Sequence, residues 1–149
     1  MTPSHLPRAA ALLLALGLAR AAVAQGQAAP VPEIVTQGLD LLVSGKSDQA
    51  VSVWTHAWQG DDRDKAATLS ESLTSLGDVL GQVHGYDLVK SFDVSPTLRR
   101  FYYIVRYRRQ PLYASFVVYR PDTAWTVINV SWNTDGATVF PKELLGPVP

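Results

Sequence analysis

The stretch Arg99–Asn133, RRFYYIVRYRRQPLYASFVVYRPDTAWTVINVSWN, decides the fold. It is dense in Tyr, Phe, Trp, Val and Ile, residues that pack well on a pleated surface. Proline-containing turns at Gln110-Pro111 and Pro121-Asp122 interrupt it. Three consecutive antiparallel strands follow: Leu98–Arg108, Tyr113–Arg120 and Ala124–Trp132. Tyr86–Asp93 reads as a fourth strand ahead of them, ended by Ser95-Pro96. The run Asn133-Thr134-Asp135-Gly136 closes the meander.

Upstream the period changes to that of helices. Ile34, Val35, Leu39 and Leu42 form an apolar stripe over Glu33–Val43. Ser47 is placed to cap a second helix, Asp48–Trp58, with Asp48 favourable in its first turn. Leu69, Leu73, Leu76, Leu80 and Val83 predict a third helix from Asp64 to His84, with Gly85 ending it. Helices followed by a meander predict an α+β fold, with N-terminal helices packed on a curved antiparallel four-stranded sheet.

Strand alternation sorts the side chains. A hairpin centred on Gln110-Pro111 sets Arg108 opposite Tyr113 and Ile104 opposite Val117. A loop over Pro121–Ala124 sets Val118 opposite Val127. Phe101, Tyr103, Val105, Tyr107, Phe116, Val118, Trp125 and Val127 then share the face toward the helices, with Arg120, Asn129 and Ser131 at its margin. Arg100, Tyr102, Arg106, Arg108, Tyr113, Ser115, Tyr119, Thr126, Ile128 and Trp132 share the other face. A one-residue slip would exchange parts of these sets.

The remaining sequence bounds the function. Across 149 residues, 13 basic side chains match 13 acidic ones. The start of the chain has the layout of a secretory signal peptide: Arg8, then the apolar run Ala9–Ala19, then Ala22-Val23-Ala24 before Gln25. The expected domains are a signal peptide over 1–24, a lead-in over 25–32, one α+β domain over 33–141 and a peripheral tail over 142–149. Without Arg8 and Arg20 the balance is near −2, which gives no general pull toward nucleic acid. A periplasmic or secreted protein is expected, with no membrane span after cleavage. There is no Cys, so disulfides, thiol chemistry and Cys-ligated zinc are excluded.

Tyr119-Arg120-Pro121-Asp122, with Trp125-x-Val127 after it, three helices before it and a strand after Gly85, resembles the nuclear transport factor 2-like superfamily. More narrowly, it resembles small exported bacterial members of that superfamily, of unknown function. The resemblance implies a cone in which the sheet wraps the helices around a pocket. It spans ligand-binding and dimerising modules as well as ketosteroid-isomerase-like and cyclase-like enzymes, so it does not choose a function.

The expected role is a non-catalytic module that binds a small apolar or amphipathic ligand or forms a homodimer. Tyr103, Phe116, Arg120, Trp125 and Asn129 are the pocket candidates: the rings would bury a ligand body, and Arg120 and Asn129 would orient its polar end. Arg106, Arg108, Tyr113 and Trp132 are the interface candidates, because Tyr, Trp and Arg are enriched at interfaces. The alternative is a ketosteroid-isomerase-like or cyclase-like acid/base enzyme, for which Asp78, Asp87 or Asp93 would supply a base beside Tyr103 or Tyr107. His56 and His84 carry no metal-ligand pattern, and no metal or other cofactor is expected.

Overall fold

A computed structural model describes residues 30–146. The expected signal peptide and most of the lead-in lie outside the described residues. Helices α1 (Glu33–Val43), α2 (Ser47–Thr55) and α3 (Asp62–Leu80) precede strands β1 (Val83–Ser95), β2 (Leu98–Tyr107), β3 (Pro111–Tyr119) and β4 (Thr126–Asn133). A short helix α4 (Gly136–Val139) and a 3-10 turn (Lys142–Leu144) follow. The strands form one antiparallel sheet in the order β1-β2-β3-β4, a simple meander. This is the expected α+β architecture. Among the described residues no helix is long and apolar enough to cross a membrane.

The core lies between α1, α2, α3 and one sheet face. Val35, Leu39 and Leu42 of α1 meet Ala50, Val51 and Trp54 of α2 and Leu73 and Leu80 of α3. The sheet contributes Phe101, Tyr103, Val105, Leu112, Phe116, Val118 and Val127. Gly38 completes the α1 stripe: a Cβ there would lie 2.0 Å from Trp54 Nε1. The missing side chain lets the indole lie on the α1 backbone, where Trp54 Nε1 donates to the Val35 carbonyl at 3.2 Å.

Several boundaries differ from expectation. Helix α2 ends at Thr55, three residues early, and Ser47 lies inside it with Lys46 at the cap position. Helix α3 stops at Leu80 because Gly81, at φ 86, takes the left-handed turn expected of Gly85. The freed residues extend β1, whose 13 residues are set against the ten of β2 through three register shifts. Such bulges bend and twist a strand, and they blunt this open edge of the sheet against pairing with another chain. The opposite edge is covered instead. Trp58 Nε1 donates to the Val127 carbonyl of β4 at 2.7 Å.

The β2–β3 register is displaced by four residues. Ile104 faces Tyr113 and Arg106 faces Pro111. The cause lies in the hairpin, which leaves the ladder to close the end of α3. The backbone N–H groups of Arg108 and Arg109 donate to the carbonyls of Gln82 and Leu80, and the Arg109 guanidinium donates to the Val79 carbonyl. A cation on the last carbonyls of a helix is favoured by its dipole. An even displacement keeps every side chain on its face, so the β2 and β3 sets stand.

The β3–β4 pairing begins as expected, with Val118 opposite Val127, and then shifts by one. A bulge at Ile128 sets Val117 opposite Asn129 and Phe116 opposite Val130. This odd shift corrects the assignments of Asn129, Ser131 and Trp132 and sets that of Val130. Asn129 and Ser131 move to the outer face, while Val130 and Trp132 turn toward the helices. Ser131 shares a 2.8 Å hydroxyl contact with Ser115, and the Trp132 indole reaches Ser72 of α3 at 3.5 Å.

Candidate functional site

The expected pocket residues are not brought together. Tyr103 and Phe116 are 2% and 1% exposed and belong to the packed core. Their ring centroids lie 5.9 Å apart, and Trp54 meets Phe116 edge-on at 5.0 Å. Side chains fill the space where the resemblance implies a cavity. Asn129 stands exposed on the opposite face of the sheet.

Arg120 and Trp125 do meet, at the end of the sheet. The Arg120 and Arg99 guanidiniums lie 4.7 and 4.8 Å from the centroid of one Trp125 ring. Arg120 also donates to the Pro96 carbonyl at 3.2 Å, and Arg99 to that of Pro30 at 3.3 Å. Arg99 Nε lies 3.1 Å from Asp93 Oδ1 as an ion pair without hydrogen-bond alignment. These contacts tie the β3–β4 loop to the β1–β2 turn, a structural clasp.

The interface candidates also separate. Arg106 Nε pairs with Asp87 Oδ2 at 3.0 Å, Arg108 belongs to the hairpin beside α3, Tyr113 packs under Phe140, and Trp132 faces the helices.

The carboxylates proposed as bases are all at the surface: Asp78, Asp87 and Asp93 are exposed. Among the described residues no acidic side chain is buried. Asp40 is the carboxylate that accepts from a tyrosine, taking the Tyr86 hydroxyl at 2.7 Å, and it too is exposed. Burial pushes the Tyr86, Tyr103 and Tyr107 hydroxyls up from 10.0 to about 12, with the Asp40 bond adding to the effect at Tyr86. His56 and His84 are exposed, and no three potential metal ligands converge among the described residues.

The outer face of the sheet is divided. Phe140, carried in by α4, covers its centre, with centroids 5.4 Å from Tyr102 and 5.2 Å from Tyr113. Asp135 caps α4 by accepting from the Ala137 N–H at 3.0 Å, which aims the chain back across the sheet. The chain then turns at Lys142–Leu144 and leaves a cleft of about 520 Å³ between itself and the β1–β2 ribbon.

Phe92 and Val94 form the β1 side of that cleft, Arg100 and Tyr102 its floor, and Pro141, Glu143 and Leu144 its far wall. Phe92 and Val94 are 42% and 62% exposed. Phe92 also meets Tyr102 edge-on at 6.0 Å and carries Lys90 Nζ 5.7 Å from its ring centroid. Among the described residues the Arg100 guanidinium makes one hydrogen bond, donating from Nη1 to the Tyr102 hydroxyl at 3.4 Å. Among the described residues neither Arg100 nor Glu143 is in an ion pair. The cleft therefore has apolar walls and two opposite charges that do not neutralise each other.

Other grooves are less well equipped. One of about 420 Å³ runs between α3 and β4 past Trp58, Leu69 and Val130, with Asp64 and Lys65 at its helix end. Another, of about 520 Å³, runs between α1 and α2 beside Glu33, Gln37 and His56. Neither combines aromatic walls with an unpaired guanidinium.

Sequence reading placed Arg100 and Tyr102 on this face but missed Phe92, Phe140, Glu143 and Leu144. The signal for Phe140 and Leu144 was present: Asp135-Gly136-Ala137 is a helix-start pattern, and these are apolar residues after it. The chain matches no family model, no curated protein and no solved structure.

Proposed function

We propose that this is an exported, non-catalytic binding protein of nuclear transport factor 2-like architecture that holds a small amphipathic molecule in the outer cleft. One observation carries this reading. The interior is filled by Trp54, Phe101, Tyr103 and Phe116, while exposed Phe92 and Val94 face the C-terminal segment across an open space. Its size falls within the roughly 300–1,000 Å³ common to small-molecule sites, and its lining, apolar with a few polar groups, is of the usual kind. The absence of a buried carboxylate among the described residues favours binding over acid/base catalysis. The test is a native mass spectrum of the mature protein purified from its own cells. Binding predicts an added mass of a few hundred daltons that is lost on denaturation. A clean protein mass contradicts it.

A second reading, self-association, is favoured by Tyr119 and Ile128. They are 41% and 49% exposed on the half of the outer face that Phe140 leaves open. The same spectrum reads it as a dimer mass.

A further inference from the structure

We infer that the outer cleft selects a short peptide of apolar residues by its two charged ends, the carboxylate on Arg100 and the ammonium on Glu143. This rests on the cleft being the binding site, as proposed above.

The argument starts from charge. Arg100 and Glu143 border one space of about 520 Å³ without pairing to each other. A neutral apolar guest would leave both charges in a partly dehydrated site with nothing to offset the loss of water. An anionic guest would satisfy Arg100 and be repelled by Glu143. A molecule carrying both signs satisfies both walls. Arg100 presents a planar guanidinium suited to the two oxygens of a carboxylate, and its contact with the Tyr102 hydroxyl steers it over the cleft floor. Lys90, over the Phe92 ring, adds positive potential on the same side.

A peptide carries its two charges further apart than a single amino acid does, which suits charges borne by two separate elements. Arg100 rises from the sheet, and Glu143 belongs to the 3-10 turn of the opposite wall. The two charges of an amino acid sit on one carbon, whereas those of a dipeptide are a further residue apart, at roughly 3.3–3.6 Å per residue. Its side chains would lie on Phe92, Val94, Tyr102 and Leu144.

The experiment is a calorimetric titration of the mature protein with leucyl-phenylalanine, its N-acetyl form, its amide, and the peptide blocked at both ends. Blocking either end should weaken binding about tenfold, as expected when one charge-assisted contact is lost. The Arg100→Gln protein should become indifferent to amidation and remain sensitive to acetylation. The Glu143→Gln protein should show the reverse. That crossed pattern cannot arise from a variant that merely misfolds. Equal binding of the free and doubly blocked peptides would overturn the inference and leave a cleft that takes apolar molecules without reading their ends. If no peptide binds while the native spectrum still carries a ligand, the inference fails alone. If no peptide binds and the native spectrum is clean, the cleft reading fails with it.

Discussion

Phe140 stands edge-on to Tyr102, with centroids 5.4 Å apart and planes at 77°. Through this contact a four-residue helix and the turn after it become a wall of the outer cleft. Phe140 is buried, although it lies in a short terminal segment with little core of its own.

Replacing Phe140 with Ala should therefore cost about 3 kcal/mol, the usual loss for a buried ring. In a domain of this size that lowers Tm by roughly 10 °C. The C-terminal segment should also loosen, read as faster amide exchange at 142–145. A Tm within a degree or two of wild type would mean that the segment does not hold to the sheet through Phe140.

Gly38→Ala separates local propensity from packing. Alanine is favoured over glycine in a helix by about 1 kcal/mol. Here the added methyl would enter the Trp54 ring, whose indole is fully buried and bonded to Val35. Overpacking costs typically 1–3 kcal/mol, and a 2.0 Å approach to a buried ring puts it near the top of that range, so the net effect after the helix gain is destabilisation by about 2 kcal/mol. Denaturant unfolding gives the sign, and a more stable variant would contradict the packing described.

The Tyr107 hydroxyl is buried and has no hydrogen-bond partner among the described residues. Removing it with Tyr107→Phe keeps the ring and deletes a group whose desolvation is uncompensated. Stability should be unchanged or rise by up to about 1 kcal/mol. A clear loss would reveal a partner for that hydroxyl.

Alkaline titration tests the three raised tyrosines together. Tyr86, Tyr103 and Tyr107 hold their protons to about 12 in the folded chain, against 10.0 when unfolded. The unfolded state ionises first, so the stabilisation is complete below pH 10 and is lost as pH rises from 10 through 12. These three should form tyrosinate late, together with loss of the fold. Ionisation of Tyr86, Tyr103 and Tyr107 near pH 10 with the circular dichroism unchanged would contradict this.

The elements were legible where one period dominates. The helical stripe in α3 and the alternation in β2 and β3 identified element types and faces, and the four-residue displacement of the hairpin spared the faces because it was even. The Ile128 bulge was not legible. The run VINVSW alternates acceptably in either register, and the shift is set by Phe116 meeting Val130 rather than Asn129. Gly81 and Gly85 were equally good helix ends in sequence, and the choice depends on Arg108 and Arg109 reaching α3 from the hairpin. The candidate site was least legible, because it joins β1 to a segment about fifty residues later. Contact between them depends on how α4 redirects the chain.

The central claim is that ligands enter the outer cleft and not the interior. The most direct measurement is an amide-resolved nuclear magnetic resonance titration of the mature protein with leucyl-phenylalanine. The account predicts saturable shifts at 92–94, 100–102 and 142–144, with the indole signals of Trp54 and Trp58 unmoved. Shifts centred on Trp58, Leu69 and Val130 would contradict it, and none at any residue would overturn the peptide inference.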